Sequence, residues 1–349
     1  NVGTLQADLH YYTLNNNPNH YEGKISSEDL DVGKLIDDNR FGPSTFNMNI
    51  EGKGINLDDL KSNIAGEVSS FYYKNYNYKQ ISLNGNVGGK IFKGNFEIKD
   101  TNLNLGFDGT LNMNTSLPEI AIATDVYKLN LRTLGLDSVD TYLQFKGNVD
   151  LKGKGIDDLV GDVRLDSFSL TRQKRHYTLK DVHVSSSTHE GIRGYSLTSD
   201  LANMNANGDF LPSEIEYLIA NIKHSIYPAQ FEKPTQELES KTIDLELTIA
   251  RFNPVFKEVF GDLVFDSASL NVSYEFKSGK LEGLTFLDEL KYEGISSPSV
   301  SLSLINGGDL TPINFGINTE GLLQNDSILF DQLNMNGFIK DGIVNFETT

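Results

Sequence analysis

The sequence predicts an all-β protein with a few short helices, folded as an antiparallel sheet with one dry face and one wet face. Three observations carry this. Apolar and polar residues alternate along most of the chain, and glycine (31) and asparagine punctuate short runs where proline (9) is sparse. Stripes at helical spacing are few.

In chain order, the first residues set Leu5, Ala7, Leu9 and Tyr11 on one side. The stretch "VGKLIDDN" predicts a short helix, and "FYYKNYNY" (Phe71 to Tyr78) reads as an aromatic hairpin with a polar tip. In "TNLNLGFDGTLNMN" the apolar set is Leu103, Leu105, Phe107, Leu111 and Met113. "KLNLRTLGL" predicts a further turn or two of helix. "YLQFKGNVDL" puts Leu143, Phe145, Val149 and Leu151 opposite Gln144, Lys146, Asn148 and Asp150. "SEIEYLIANIKHSI" instead predicts a helix, with Ser213 as its cap and Ile215, Leu218, Ile219, Ile222 and Ile226 on one stripe. Strands resume with Ile243, Leu245, Leu247 and Ile249, followed by a short helix in "FNPVFKEVF" with Val255, Phe256, Val259 and Phe260 inward. Val300, Leu302 and Leu304 alternate with serines, and Ile313, Phe315 and Ile317 complete the set.

Two phrases repeat. "GKGINLDDL" begins at Gly52 and "GKGIDDL" at Gly153, an offset of 101 that continues into strand, polar tip and returning strand. A weaker third copy starts at Ile249. The glycines permit a sharp corner, and the aspartates can accept hydrogen bonds from free amides there. The chain reads as one continuous segment, residues 1–349, with approximate repeats 1–100, 101–211 and 212–349.

A formal charge of −18 repels phosphate backbones and anionic headgroups, so nucleic acid is not an expected partner. The short basic run "RQKRH" (Arg172 to His176) reads as a solvated hairpin tip. The absence of cysteine excludes disulfides and thiolate chemistry. No stretch approaches the roughly 20 apolar residues of a membrane span. The chain opens on "NVGTLQADLHYYTL", without a signal peptide, so an internal segment of a longer protein is expected.

Chemistry-bearing motifs are lacking. "NGNVGGK" (Asn84 to Lys90) has Ile91 where a phosphate loop needs Ser or Thr. His10, His20, His176, His183, His189 and His224 are scattered, and the carboxylates alternate outward as solvating groups. No catalytic residue, metal site or cofactor is expected, and an enzyme is not. The dry face must be covered, either by a second layer of side chains or by curling into an apolar trough. Periodicity leaves both open.

The successive segments "YEGKISSEDLDVGKLI", "FNMNIEGKGINLDDL" and "PEIAIATDVYKLNLRTLGL" resemble the repeat region of TamB-type translocation and assembly proteins, of the AsmA-like group of diderm bacteria. The specific marks are the return strand "YKQISLNG" (Tyr78 to Gly85), the hairpin Phe92 to Asp100, and the strand from Leu103 to Gly109 that closes it. The Asn-, Lys- and Tyr-rich composition is similar to a Bacteroidota version, and the likeness runs from about Leu5 to Leu211 before thinning.

The resemblance implies an elongated, curled antiparallel sheet (a β-taco) with a hydrophobic groove, in a protein anchored in the inner membrane and reaching across the periplasm. It implies carriage of phospholipid acyl chains toward the outer membrane, with the inward residues named above as groove lining. It also implies contact with a TamA-like outer-membrane barrel protein through regions outside this segment. Two other readings are a chaperone of outer-membrane barrel proteins acting by strand addition, and a structural β-repeat with a filled core. About 20 strands at ~4.8 Å spacing would extend on the order of 100 Å.

Overall fold

The computed structural model describes residues 2–14, 17–54, 60–226, 230–232, 234–235, 241–251, 256, 261–308, 312–340 and 342–349. Among these residues strands make up 69% and helices 6%, in one antiparallel sheet of 22 strands that is not closed. The chain divides into two compact units, Asn1–Lys154 with Asp162–Lys180, and Gly155–Gly161 with Asp181–Thr349.

The first unit opens with β1 (Thr4–Leu14), β2 (Asn17–Asp31) and the short helix α1 (Val32–Ile36). The Asp31 carboxylate caps α1 by accepting the Lys34 N–H at 3.2 Å. There follow β3 (Phe41–Lys53), β4 (Lys61–Tyr73), β5 (Tyr76–Gly88), β6 (Ile91–Lys99), β7 (Leu103–Asn112), β8 (Glu119–Asn130) and β9 (Thr141–Lys152). Between β8 and β9 the predicted helical residues form hydrogen-bonded turns, with Leu134 N–H donating to the Asn130 carbonyl. Most of β10 (Val160–Arg172) also belongs here, and β11 (Arg175–His189) begins here.

Register turns the alternation into a core. Phe46, Val68, Ile81, Ile98, Leu105, Val126 and Phe145 are successive cross-strand partners from β3 to β9. Val68, Ile81, Ile98 and Val126 are only 4–7% exposed, and each such burial contributes about 1.5–3 kcal/mol. A one-residue slip would turn the whole row outward, so the row fixes the register.

The second unit continues with β12 (Ile192–Thr198), β13 (Ala202–Gly208) and the helix α2 (Ile215–Ile226). After α2 come β14 (Thr242–Ile249), β15 (Ala268–Glu275), β16 (Lys280–Tyr292), β17 (Ile295–Ile305) and β18 (Ile313–Thr319). The last strands are β19 (Leu322–Gln324), β20 (Ser327–Phe330), β21 (Leu333–Lys340) and β22 (Ile343–Thr348). Strands pair with their sequence neighbours until β17, which bonds to both β18 and β19, while β18 passes on to β21. The β19–β20 hairpin is thereby set aside from the main order.

The repeat has a backbone counterpart. Hairpin tips Lys74–Asn75 (φ 47, 67) and Gln173–Lys174 (φ 49, 70) both use two left-handed residues, the geometry that matches strand twist. Farther along the returning strands, Gln80 (φ 52) and Asp181 (φ 51) are left-handed within β5 and β11, at the same 101-residue offset as the glycine phrases. Each shifts the alternation, so Tyr78 packs in the same cluster as Ile81 three residues later. Tyr177 (5%) and Val182 (7%) are likewise both buried at an odd spacing. The phrases themselves are corners: Gly52 precedes the end of β3, and Gly153 and Gly155 follow β9. In the second copy Asp158 accepts the Gly155 N–H at 2.8 Å, while Asp58 and Asp59 of the first lie outside the described residues.

α2 forms where its stripe predicts, but it seats differently. Ser213 does not cap it. Glu214 accepts the Leu211 N–H at 3.0 Å, and Ser213 gives its N–H and Oγ to the Asp157 carboxylate at 3.0 and 2.9 Å. Leu218 is buried at 7%, whereas Ile215 (38%) and Ile219 (46%) are exposed. The side chains of Ile222 and Ile226 lie outside the described ones. So do most of "FNPVFKEVF", including Val255, Val259 and Phe260.

Candidate functional site

The apolar face of each unit is the candidate site. In the first unit, Leu103, Leu105, Phe107 and Leu111 lie on β7, and Leu143, Phe145, Val149 and Leu151 on β9. β8 joins them in rows: Leu103–Leu129–Leu143, Leu105–Val126–Phe145 and Leu111–Ile120–Leu151. Val149 meets Ile122, which faces Gly109. Met113 departs from the prediction. The strand ends at Asn112, whose Oδ1 accepts the Asn114 N–H at 3.0 Å, and Met113 is 59% exposed beyond that turn.

Gly85, Gly94 and Gly109 are themselves cross-strand partners within this face. At Gly109 (φ 152) a Cβ would lie 2.1 Å from the Ala121 carbonyl oxygen, so only glycine lets β7 and β8 come this close here. One margin of the face is sealed: Val68, Ile81, Ile98 and Leu103 are covered with Phe71, Tyr78 and Leu134 packed against them. Away from that margin Leu111, Val149 and Leu151 are half-buried.

In the second unit Ile243, Leu245, Leu247 and Ile249 occupy β14, Val300, Leu302 and Leu304 occupy β17, and Ile313, Phe315 and Ile317 occupy β18. Two rows cross the middle of the face. One is Leu247–Leu270–Thr285–Leu302–Ile317–Met335, and the other is Leu245–Val272–Gly283–Leu304–Phe315. The flanking rows are roofed. Ile243, Tyr274 and Leu281 pack with Phe210, which precedes α2, and with Leu218 of α2. On the other side Ile249 packs with Phe265, flanked by Phe256 and Leu263. Between these closed margins Leu245, Leu247, Leu302, Leu304 and Ile317 stay half-buried, while Phe315 at the end of one middle row is buried. Of the nineteen predicted lining residues, five are buried, thirteen half-buried and Met113 exposed.

Polar pins hold the roof. Lys241 Nζ meets Glu214 Oε2 at 2.8 Å, with side chains only 18% and 13% exposed, which ties the start of α2 to β14. Asn306, 2% exposed, accepts the Leu281 N–H and donates to the Gly279 carbonyl, both at 2.8 Å. Burial pushes the Tyr274 hydroxyl above its ordinary pKa.

The aromatic run is a hairpin, with Phe71 opposite Tyr78 and Tyr73 opposite Tyr76. Tyr76 donates to Asp100 and accepts from Asn102 Nδ2 at 3.2 Å. Burial, then the Asp100 bond, raises the Tyr76 pKa. Asp100 is 7% exposed, so it is one carboxylate that does not point outward as predicted. "NGNVGGK" spans the end of β5 and a Gly89–Lys90 turn into β6, with no helix to cradle a phosphate. Among the described residues no group of three His, Asp or Glu side chains could hold a metal. No helix there is long and apolar enough to cross a membrane. Sequence reasoning missed hollows on the opposite face. The first unit has one of about 610 Å³, walled by Asn84, Asn95, Asp108, Asp125, Lys146 and Asn148 among others.

No protein-family model, curated protein or solved structure matches this chain.

Proposed function

We propose that the apolar faces of the two units are troughs that carry phospholipid acyl chains, in a TamB-like, AsmA-like protein of a diderm cell envelope. The observation that supports this most is the second unit's face, sealed along both margins and half-open between them. A filled core would bury the middle rows as completely as the outer ones. A chain lying across the strands there would exchange water for leucine and isoleucine side chains, at about 0.8 kcal/mol per methylene. The headgroup stays in water, and no bond is made or broken. A filled structural repeat accounts less well for thirteen half-buried lining residues.

The test is denaturing mass spectrometry of lipid that co-purifies with the full chain, alongside Leu105→Glu, Phe145→Glu and Leu247→Glu. Each variant places a carboxylate on a half-buried apolar position. We expect phospholipid with the wild type and its loss from variants that keep their circular dichroism. Folded variants that retain lipid equally would overturn the reading, and crosslinks from strand edges to unfolded barrel clients would favour a chaperone.

A further inference from the structure

The outward face of the second unit carries leucine, isoleucine and phenylalanine side chains, where the first unit's outward rows are polar and its large exposed ring is Tyr127. In the first unit, outward rows such as Asn49–Ala65–Asn84–Asn95–Asp108–Ala123–Asn148 contain nothing apolar larger than alanine. In the second, the register directs Leu284 and Phe286 of β16, Ile305 of β17 and Phe338 of β21 to the same side as Asp244, Glu246 and Asn271. They are 39%, 48%, 52% and 39% exposed. Leu284 faces Ser303, so Ile305 is its diagonal neighbour, within reach across the strands. Leu284, Phe286 and Ile305 form one apolar patch, with Phe338 apart from them behind Asn314, and such a patch on an otherwise polar sheet face marks an interaction surface.

The setting of this patch identifies its partner. Leu284 and Ile305 line a hollow of about 440 Å³ together with Asp244, Glu246 and Glu282. The nearby cations are Lys280, held by Glu282 at 2.8 Å, and Lys340, two residues beyond Phe338 on β21. The wider field has the same sign. Residues 181–349 carry 25 Asp and Glu against 10 Lys and Arg, whereas residues 1–180 carry 23 against 20. Nearly all of the formal −18 therefore lies in the second half, and a second copy or an anionic lipid surface would be repelled there.

We propose that this face docks a protein partner whose contact segment alternates basic and apolar side chains. A lysine or arginine enters the hollow between Asp244 and Glu246, its aliphatic stem lying on Leu284 and Ile305, and an apolar neighbour covers Phe286. Carboxylates supply steering and specificity, and the apolar patch supplies the surface removed from water. This face lies opposite the proposed lipid trough and does not depend on it.

The experiment titrates a fluorescent peptide of alternating lysine and leucine into the full chain and reads anisotropy. A glutamate-leucine peptide serves as the control. We expect saturable binding of the basic peptide only. Leu284→Ser with Ile305→Ser, which leaves the charge unchanged, should weaken it about tenfold or more. Asp244→Asn with Glu246→Gln should do likewise, and Asp108→Asn with Asp150→Asn in the first unit should change it less than twofold. The proposal is overturned if the wild type does not bind, if the acidic peptide binds equally, or if the serine pair binds within twofold of wild type. It is overturned equally if the first-unit pair weakens binding as much as the Asp244 and Glu246 pair, which would mean non-specific attraction to an acidic chain. Circular dichroism confirms that the variants, all on exposed positions, remain folded.

Discussion

Two glycines on one strand give the sharpest test of how this sheet is built. Gly106 and Gly109 both lie on β7, three residues apart and on opposite faces. A Cβ at Gly106 meets nothing closer than the Phe96 carbonyl oxygen at 3.9 Å, so Gly106→Ala fits without adjustment. It restricts only the unfolded chain and should be neutral or stabilise by up to about 1 kcal/mol. At Gly109 the same methyl would sit 2.1 Å from Ala121 O and 2.7 Å from Ile122 Cα, with φ at 152. Both contacts are backbone, so β7 and β8 must separate, and the ladder through Gly109 and Ile122 weakens. Backbone strain of this kind costs about 1–3 kcal/mol, and one disturbed ladder bond adds roughly 1 kcal/mol. Gly109→Ala should therefore destabilise by about 2–4 kcal/mol. The assay is urea unfolding followed by far-UV circular dichroism, since the chain has no tryptophan. If the two alanine variants unfold within about 0.5 kcal/mol of each other, close approach at Gly109 is not what shapes this part of the face.

Four further outcomes follow from the structure. Lys174→Gly should stabilise by about 1 kcal/mol, because Lys174 holds φ 70 at the β10–β11 tip, where glycine pays no Cβ penalty; thermal unfolding reads it. Lys241→Met should leave the Glu214 carboxylate without its ammonium partner and cost about 2–3 kcal/mol, seen as faster amide exchange in α2 and β14. Asn306→Leu should lose three side-chain hydrogen bonds, the long one from Gly308 N–H included, and strand the Leu281 N–H and Gly279 carbonyl, at a cost of about 2–3 kcal/mol in urea unfolding. The Glu119 carboxylate is held below its ordinary 4.5 by hydrogen bonds from Lys152 and Asn112. Because this folded pKa is depressed, its contribution is present above the ordinary value and fades as pH falls through the lowered one. Carboxyl NMR titration should find the lowered midpoint, and Lys152→Met should move it back upward.

Where the sequence was legible, it was legible through period-2 alternation. The set from Ile243 to Ile249 became β14 with every predicted inward side chain on one face. The reading failed where local chemistry interrupts the period. Met113 continues the alternation of β7 on paper, but the Asn112 side chain turns the chain one residue earlier. Gln80 and Asp181 look like ordinary strand residues, yet their left-handed backbone shifts the faces, and no side-chain pattern announces it. Ile215 and Ile219 share the stripe of Leu218, but the helix rests on the sheet through Leu218. Leu284, Phe286, Ile305 and Phe338 were overlooked because each looks unremarkable on its own strand. Only cross-strand register gathers them.

Pairing almost entirely between sequence neighbours has a mechanical consequence. Each hairpin leans on the next, so load applied through the first and last strands would reach one ladder at a time. Loss of pairing would advance ladder by ladder from β1 or β22. The strands left behind would keep their register and stand ready to rewind when tension falls.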